Sequence, residues 1–228
     1  MTSTAPAPTV DVLAPARERL IAEGVRAFSS VGFDGASLRD IERQAGVGRS
    51  LVAHHFGTKD GLWRACVDAL MGEFHAEMAG VKDLLTDVSP AERARVMQKI
   101  YIRFVARHPE YPRLLLLAGT DGSERMRWLV ETWRRRNVEL FMEVASFPSH
   151  DDRRHAAAHY AFVGAASYIF AVPEEVQLLF GVDPRHPEFV EQFAELIVEW
   201  AGAGPSADGG VPTSALRRAT RKSFGSDG

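Results

Sequence analysis

Residues 37–56 read SLRDIERQAGVGRSLVAHHF, and this stretch decides the kind of fold that the chain adopts. Ser37 is a helix-capping residue, because its hydroxyl accepts an amide hydrogen bond from the first turn, and it precedes a predicted short helix over Leu38–Gln44. Gly46 follows in a tight connection, where the left-handed conformation that ends a helix costs glycine little. A second short helix is predicted over Arg49–His55. Two short helices joined by a turn that contains glycine indicate a helix-turn-helix, which places one exposed helix in a major groove of DNA.

The spacing within this stretch separates packing residues from exposed residues. The residues spaced to pack the helices together are Ile41, Ala45, Val47, Val52 and Phe56. The residues left outside are Gly48, Arg49, Ser50, Ala53, His54 and His55. Between Leu38 and Lys59 the basic residues outnumber the acidic ones by two, whereas the whole chain has a formal net charge of −3. We therefore expect nucleic acid to bind this local surface and not to be held by bulk attraction.

Helical periodicity continues on both sides of the motif. Apolar residues recur at spacings of three and four, and alternating β-branched runs bounded by turns are absent. A first helix is predicted over Ala16–Val31, where Gly32 supplies the stop. The later helices are predicted over Thr58–Val81, Pro90–Arg107, Tyr111–Ala118, Ser123–Ser146, Asp151–Ala171, Pro173–Phe180 and Pro187–Ala201. The sequence therefore predicts an all-α fold.

Composition predicts how the chain is divided. Residues 1–15 are rich in Pro, Ala and Thr and are predicted to be a disordered lead, and residues 203–228 a flexible tail. Residues 16–57 are predicted to form a three-helix DNA-binding domain, and residues 58–202 a larger helical domain. The tail carries a small basic cluster of Arg217, Arg218, Arg221 and Lys222. Solvated disorder is the preferred interpretation of this cluster over an accessory phosphate-binding arm.

Several features bear on compartment, metals and cofactors. The N-terminus lacks the basic start and apolar core of a secretory signal, and no apolar run approaches the roughly 20 residues that span a bilayer. Cys66 is the single cysteine and can form no internal disulfide, so we expect a cytoplasmic chain with no membrane partner. Asp151, His155 and His159 share a helix face and could hold a metal, but a solvated polar stripe is preferred because no HExxH-type glutamate accompanies them. We expect neither a metal nor a cofactor.

The first quarter of the chain carries a set of motifs that occur together in one family. These are Gly32-Phe33, Ser37-Leu38-Arg39-Asp40-Ile41, Ala45-Gly46-Val47, His54, Phe56 and Lys59-Asp60-Gly61-Leu62. In this respect the segment resembles the DNA-binding domain of the tetracycline-repressor (TetR/AcrR) family. The sequence departs from the family pattern at Gly48, where serine is frequent, and at Ser50, where glycine is frequent. Ala53 and His55 stand where the family often has aromatic residues.

The resemblance implies a set of DNA contacts. The full set comprises Ser37, Arg39, Gly48, Arg49, Ser50, His54, His55, Thr58 and Lys59. In this set Ser37 and Arg39 lie near the DNA backbone. Arg49, Ser50 and His54 enter or line the groove, while Thr58 and Lys59 touch phosphate. For His55, packing and DNA contact are both left open.

The resemblance also implies an effector pocket and a dimer interface in the larger domain. The candidate pocket residues are Tyr101, Phe104, Tyr111, Leu115, Trp128, Trp133 and Phe141, each of which core packing would also explain. The candidate dimer residues are Phe162, Ala165, Ala166, Ile169, Phe189, Phe193, Leu196, Ile197 and Trp200, which could instead pack within one chain.

These expectations together favour a repressor that a small-molecule effector releases from a palindromic operator. One alternative is a protein of helix-turn-helix fold that acts through protein partners. A second alternative is a helical enzyme or carrier. Against an enzyme, the chain has no phosphate-binding glycine loop, no GxSxG serine and no cysteine and histidine at a recognisable catalytic spacing.

Overall fold

A computed structural model describes residues 13–85, 87–120, 122–145 and 152–202. The helices are α1 Leu13–Gly35, α2 Leu38–Gln44, α3 Leu51–Phe56, α4 Lys59–Lys82, α5 Pro90–Arg107, α6 Glu110–Gly119, α7 Glu124–Leu129, α8 Arg135–Ala145, α9 Asp152–Ala171, α10 Pro173–Phe180 and α11 Pro187–Gly202. A 3₁₀ turn covers Asp83–Leu85 and a π turn covers Val130–Arg134. The described residues contain no strand, and the predicted all-α class is confirmed.

The two ends of the chain lie largely outside the described residues. Helix α1 begins at Leu13, inside the predicted lead, and the rest of that lead is not described. The predicted tail with its four basic residues, and Asp151 of the possible metal stripe, also lie outside the described residues.

Helix ends follow the capping residues in the sequence. The Asp40 amide donates to Ser37 Oγ at 3.3 Å at the start of α2. Ser89 and Glu92 form a capping box at the start of α5, in which each side chain satisfies the backbone amide of the other. Helix α1 runs past its predicted stop, but its backbone leaves helical geometry at Gly32 (φ 72°, ψ 179°), a left-handed value that glycine tolerates.

The chain forms two compact units. Unit 1 combines residues up to Phe74 with Arg113–Arg135, so the end of α6, the whole of α7 and the π turn belong with the motif helices. Its core contains Leu20, Phe28, Ile41, Val52, Leu62, Cys66 and Met71, each at most 2% exposed. Helices α1 and α4 approach closely, since a Cβ on Gly24 would lie 2.5 Å from Cys66 Sγ. Burial raises the pKa of the Cys66 thiol far above its usual range, so the thiol stays protonated.

Unit 2 combines His75–Pro112 with the chain from Arg136 onward. Helix α5 packs against α9 and α11, and buried apolar side chains of all three helices contribute to the core. Among the described residues no single helix is long and apolar enough to cross a membrane. Only as a pair are the segments His155–Ala171 and Pro173–Phe180 long and apolar enough, and they are bent by 74° at their junction.

Both units contain residues from the predicted effector and dimerisation domain 58–202, so the units do not follow the predicted boundary at residue 57. That boundary concerns the roles of the segments, and it stays a prediction.

Candidate nucleic-acid interface

The joint between α2 and α3 is closed by a buried carboxylate. Glu42 is only 8% exposed, and its Oε1 accepts a hydrogen bond of 3.1 Å from the backbone N–H of Val52 in the first turn of α3. Arg19 Nε of α1 donates to the Ala45 carbonyl at 3.0 Å. Sequence reasoning counted Glu42 as a surface charge, because a single glutamate inside a short helix carries no signal of burial. Its burial leaves Asp40 as the exposed acid of α2.

The start of α3 departs from the predicted helix. Ser50 has left-handed backbone angles (φ 69°, ψ 6°) and is the one described non-glycine residue with a positive φ. Helix α3 therefore begins at Leu51, and Arg49 and Ser50 form the turn before it, so the predicted start at Arg49 is wrong by two residues. The left-handed conformation is disfavoured for a residue with a Cβ, which explains why glycine suits this position in the resembled family.

Most of the predicted DNA-contacting residues lie on the surface. The exposed members are Ser37, Arg39, Gly48, Arg49, Ser50, His54 and Thr58, and the half-buried members are His55 and Lys59. Of the side chains that were expected to pack, Ile41, Ala45 and Val52 are buried, and Val47 and Phe56 are half-buried. The motif thus separates a buried apolar side from an exposed polar side as the spacing predicts. The contacts themselves stay a prediction.

His55 has a packed environment. Its ring centre lies 5.1 Å from that of His54 and 5.9 Å from that of Phe56. Its Nε2 is buried and has no hydrogen-bond partner among the described residues. Burial lowers the pKa of His55, and the neighbouring charges of His54 and Arg17 lower it further. These features support a packing role, and they leave open whether His55 also contacts DNA.

Thr58 and Lys59 are partly engaged within unit 1. Thr58 Oγ1 accepts a hydrogen bond of 3.0 Å from the Gly61 N–H, as an N-cap does. Lys59 Nζ donates to the Asp34 carbonyl at 3.3 Å and lies 4.8 Å from the centre of the Phe33 ring. These contacts hold the ammonium group beside the motif and leave it half-buried, so part of its charge stays accessible.

The candidate effector residues are divided between the two units. Tyr101, Phe104 and Tyr111 are buried in unit 2, where the Tyr111 ring centre lies 5.3 Å from that of Phe104 and 6.4 Å from that of Tyr101. Phe141, which is half-buried, also belongs to unit 2. The half-buried residues Leu115, Trp128 and Trp133 belong to unit 1. A pocket role for this set stays a prediction.

The candidate dimer residues are mostly half-buried in unit 2. Ala166 and Ile197 are buried, and the ring centre of Phe162 lies 5.6 Å from that of the core residue Tyr101. The half-buried members are Phe162, Ala165, Ile169, Phe189, Phe193 and Leu196, and Trp200 is 37% exposed.

The exposed apolar surface of α9 and α10 was missed by sequence reasoning. It consists of Ala157, Tyr160, Ala161, Gly164 and Tyr168 of α9 together with Leu178, Leu179 and Phe180 of α10. In α9, spacings of three and four residues put Ala157, Ala161, Gly164 and Tyr168 on one face. That stripe was visible in the sequence, but the sequence did not say which face of α9 packs on the core.

Metal-binding side chains do not cluster in the described part of the chain. There, His, Cys, Asp and Glu residues form no group of three that could hold an ion.

Comparison with known proteins points to one family for the segment that builds this surface. The family described as "Bacterial regulatory proteins, tetR family" matches residues 20–66. The HTH-type transcriptional regulatory protein RaaS of Mycobacterium tuberculosis is 42% identical over 71 residues, which cover 31% of this chain and 32% of that protein. The HTH-type transcriptional regulator BetI 2 of Chromohalobacter salexigens is 34% identical over 74 residues, which cover 32% of this chain and 36% of that protein. The chain thus matches about a third of the length of these relatives.

A solved structure extends the comparison to the whole fold. The crystal structure of a TetR-like transcriptional regulator from Rhodococcus sp. RHA1 covers 90% of this chain and 100% of its own, with a TM-score of 0.60 and 20% identity. At this identity the likeness concerns the fold alone, and it confirms an N-terminal helix-turn-helix followed by a larger helical part. These relatives are named as regulators and not as enzymes. Residues 20–66 therefore carry the sequence pattern of the tetR family of bacterial regulatory proteins, and this segment builds the helix-turn-helix.

Proposed function

We propose that this protein is a transcriptional regulator that binds double-stranded operator DNA through α2, α3 and the turn at Arg49 and Ser50. The observation that carries the proposal is the exposed polar side of this motif, with Arg39, Arg49 and His54 on the surface. The bond between Glu42 and the α3 backbone supports it, because a groove-reading helix must be held firmly on its scaffold.

The exposed apolar surface of unit 2 supports a homodimer. Tyr160 and Tyr168 are 67% and 62% exposed, and Leu178 and Phe180 are 87% and 74% exposed. Apolar patches of this kind mark association surfaces, and the small residues of α9 permit a close approach of two helices. A two-fold dimer presents two copies of the motif, which suits a palindromic operator.

Repression with release by a small-molecule effector is the form of regulation that we propose. An effector that binds more tightly to a conformation with mismatched motif helices would shift the dimer away from DNA. The effector itself is expected to be bound by the larger helical part.

The DNA-binding experiment uses fluorescence anisotropy on the DNA directly upstream of the protein's own gene. Arg49→Ala and Lys59→Ala should each weaken binding, by about tenfold if each removes one charge-assisted contact. The Lys59 change should also reduce the slope of log affinity against log salt by about one, since one phosphate contact is lost. Arg49→Ala should in addition alter sequence preference if Arg49 reads a base.

Arg95→Ala is the matched control for these two variants. Arg95 is exposed on α5 of unit 2, so its loss changes the net charge equally but lies outside the motif. Affinities for Arg49→Ala and Lys59→Ala that equal that of the control would contradict the assigned contacts. Absence of specific binding by the wild-type protein would instead favour a helix-turn-helix protein that acts through protein partners.

The dimer is tested by light scattering after size exclusion. Tyr168→Glu puts a charge in the exposed α9 stripe and should raise the dimer dissociation constant by about thirtyfold or more, the effect of losing roughly 2 kcal/mol at a central contact. Helicity should be unchanged, because Tyr168 is exposed within the subunit. An unaltered dimer would place the interface elsewhere.

A further inference from the structure

One face of α4 carries a stripe of residues four apart. Arg64, Asp68 and Gly72 follow one another at this spacing and therefore lie above one another along the helix. Cys66 is about 200° around the helix from Arg64, on the side that packs against Gly24 of α1. Helix α4 is thus held by α1 on one side and presents the stripe on the other.

Two tryptophans from the later part of unit 1 occupy this stripe. The ring centre of Trp128 lies 5.0 Å from Arg64 Cζ, a cation–π contact. Trp133 Nε1 donates a hydrogen bond of 2.8 Å to Asp68 Oδ1. The far edge of the Trp133 ring lies 3.4 Å from the position that a Cβ on Gly72 would take, which is close packing. The two indoles together contact α4 at Arg64, Asp68 and the backbone near Gly72.

The sequence spacing of these tryptophans does not suit a regular α-helix. Residues five apart, such as Trp128 and Trp133, point about 140° away from each other at 3.6 residues per turn. The π turn Val130–Arg134 lies between and around them, and the Arg135 N–H that ends it donates to the Val130 carbonyl, five residues back. In a π turn the backbone hydrogen bond joins residues five apart, so residue i+5 lies above residue i, as residue i+4 does in an α-helix. The extra residue therefore brings both indoles to one side.

We propose that the π turn gives Trp128 and Trp133 the register in which both pack on α4, and that these tryptophans are positioning residues for DNA binding. Helix α4 begins at Lys59, directly after the motif, so its placement is passed on to α2 and α3. Conversion of the π turn to α-helix rotates Trp133 off the stripe and breaks its bond to Asp68. The expected effect on affinity rests on the proposed DNA-binding function, whereas the packing of the two tryptophans on α4 is a property of the fold.

The experiment compares deletion of Thr132 with Thr132→Ala. Thr132 is exposed within the π turn, so the deletion removes the extra residue while the substitution keeps the register. The deletion should lower affinity for the upstream DNA by about tenfold or more, as expected for loss of a charge-assisted hydrogen bond and its packing. It should also shift the indole N–H resonance of Trp133 and speed amide exchange in residues 64–72. Thr132→Ala should match the wild type in all three measurements.

Trp133→Phe and Asp68→Asn provide a test that needs no change of register. Trp133→Phe keeps a ring but loses the indole donor, and it should show the same faster exchange in α4 with a smaller loss of affinity. Asp68→Asn retains an acceptor oxygen, so its amide exchange in α4 and its affinity for DNA should both stay close to those of the wild type. The proposal would be overturned if the folded Thr132 deletion, or Trp133→Phe, exchanged its α4 amide hydrogens at the wild-type rate. If the wild-type protein binds no DNA, the proposed function fails, and the exchange and resonance data alone decide the inference.

Discussion

Two carboxylates each tie a pair of helices together, one in each unit, and they differ in exposure. Glu42 is 8% exposed and accepts one hydrogen bond of 3.1 Å from the Val52 backbone. Glu191 accepts two bonds of 2.7 Å from Arg103, with side chains 52% and 43% exposed. The unit 2 pair has the shorter bonds, yet water competes for both partners. The Glu42 bond in unit 1 satisfies the buried backbone N–H of Val52, so loss of the bond leaves this donor without a replacement acceptor.

Removal of the Glu42 carboxylate should give the largest effect. Glu42→Ala leaves the Val52 amide without its acceptor, and Ser50, which precedes α3, makes no side-chain cap to replace it. We expect the free energy of unfolding to fall by about 2 kcal/mol, measured by urea denaturation at fixed protein concentration. Glu42→Gln keeps an acceptor oxygen and should recover more than half of the loss. Equal losses for both variants would mean that packing volume, and not the hydrogen bond, joins α2 to α3.

Relief of the left-handed serine should give a smaller effect of opposite sign. Ser50→Gly removes the Cβ that disfavours φ 69° and should raise the free energy of unfolding by about 1 kcal/mol. Ser30→Gly in the exposed part of α1 is the matched control, and it should lower stability by about 0.5 kcal/mol because glycine is a poorer helix former. A loss of stability at both positions would show that the turn before α3 is not strained.

Loss of the unit 2 ion pair should give the smallest effect. Arg103→Met keeps most of the aliphatic stem and should cost less than about 1 kcal/mol, because both partners are exposed. The hydrogen bond from Arg103 lowers the pKa of Glu191 below its usual range, so the pair contributes at neutral pH and its contribution fades as acid protonates the carboxylate. The difference between wild type and Arg103→Met should therefore shrink between neutral pH and about pH 3. A difference that grows on acidification would contradict this sign.

Much of the helix layout followed from local patterns. Helices α2, α5 and α10 have the bounds that the capping residues and prolines predict. The exposed and buried sides of the motif were also predictable, because three- and four-residue spacing defines a helix face. The π turn within the predicted helix Ser123–Ser146 could not be foreseen, since Trp128 and Trp133 have no partner until α4 is in place.

The sequence by itself determined an all-α chain with a helix-turn-helix between Ser37 and Phe56, because capping, glycine and apolar spacing act between near neighbours. Only the tertiary structure decided that Glu42 is buried, that Ser50 takes a left-handed turn and that α9 leaves Tyr168 exposed. These outcomes depend on which helices pack against each residue, and that packing joins positions far apart in the chain. A local pattern gives the faces of a helix, and only the assembled fold selects the face that is covered.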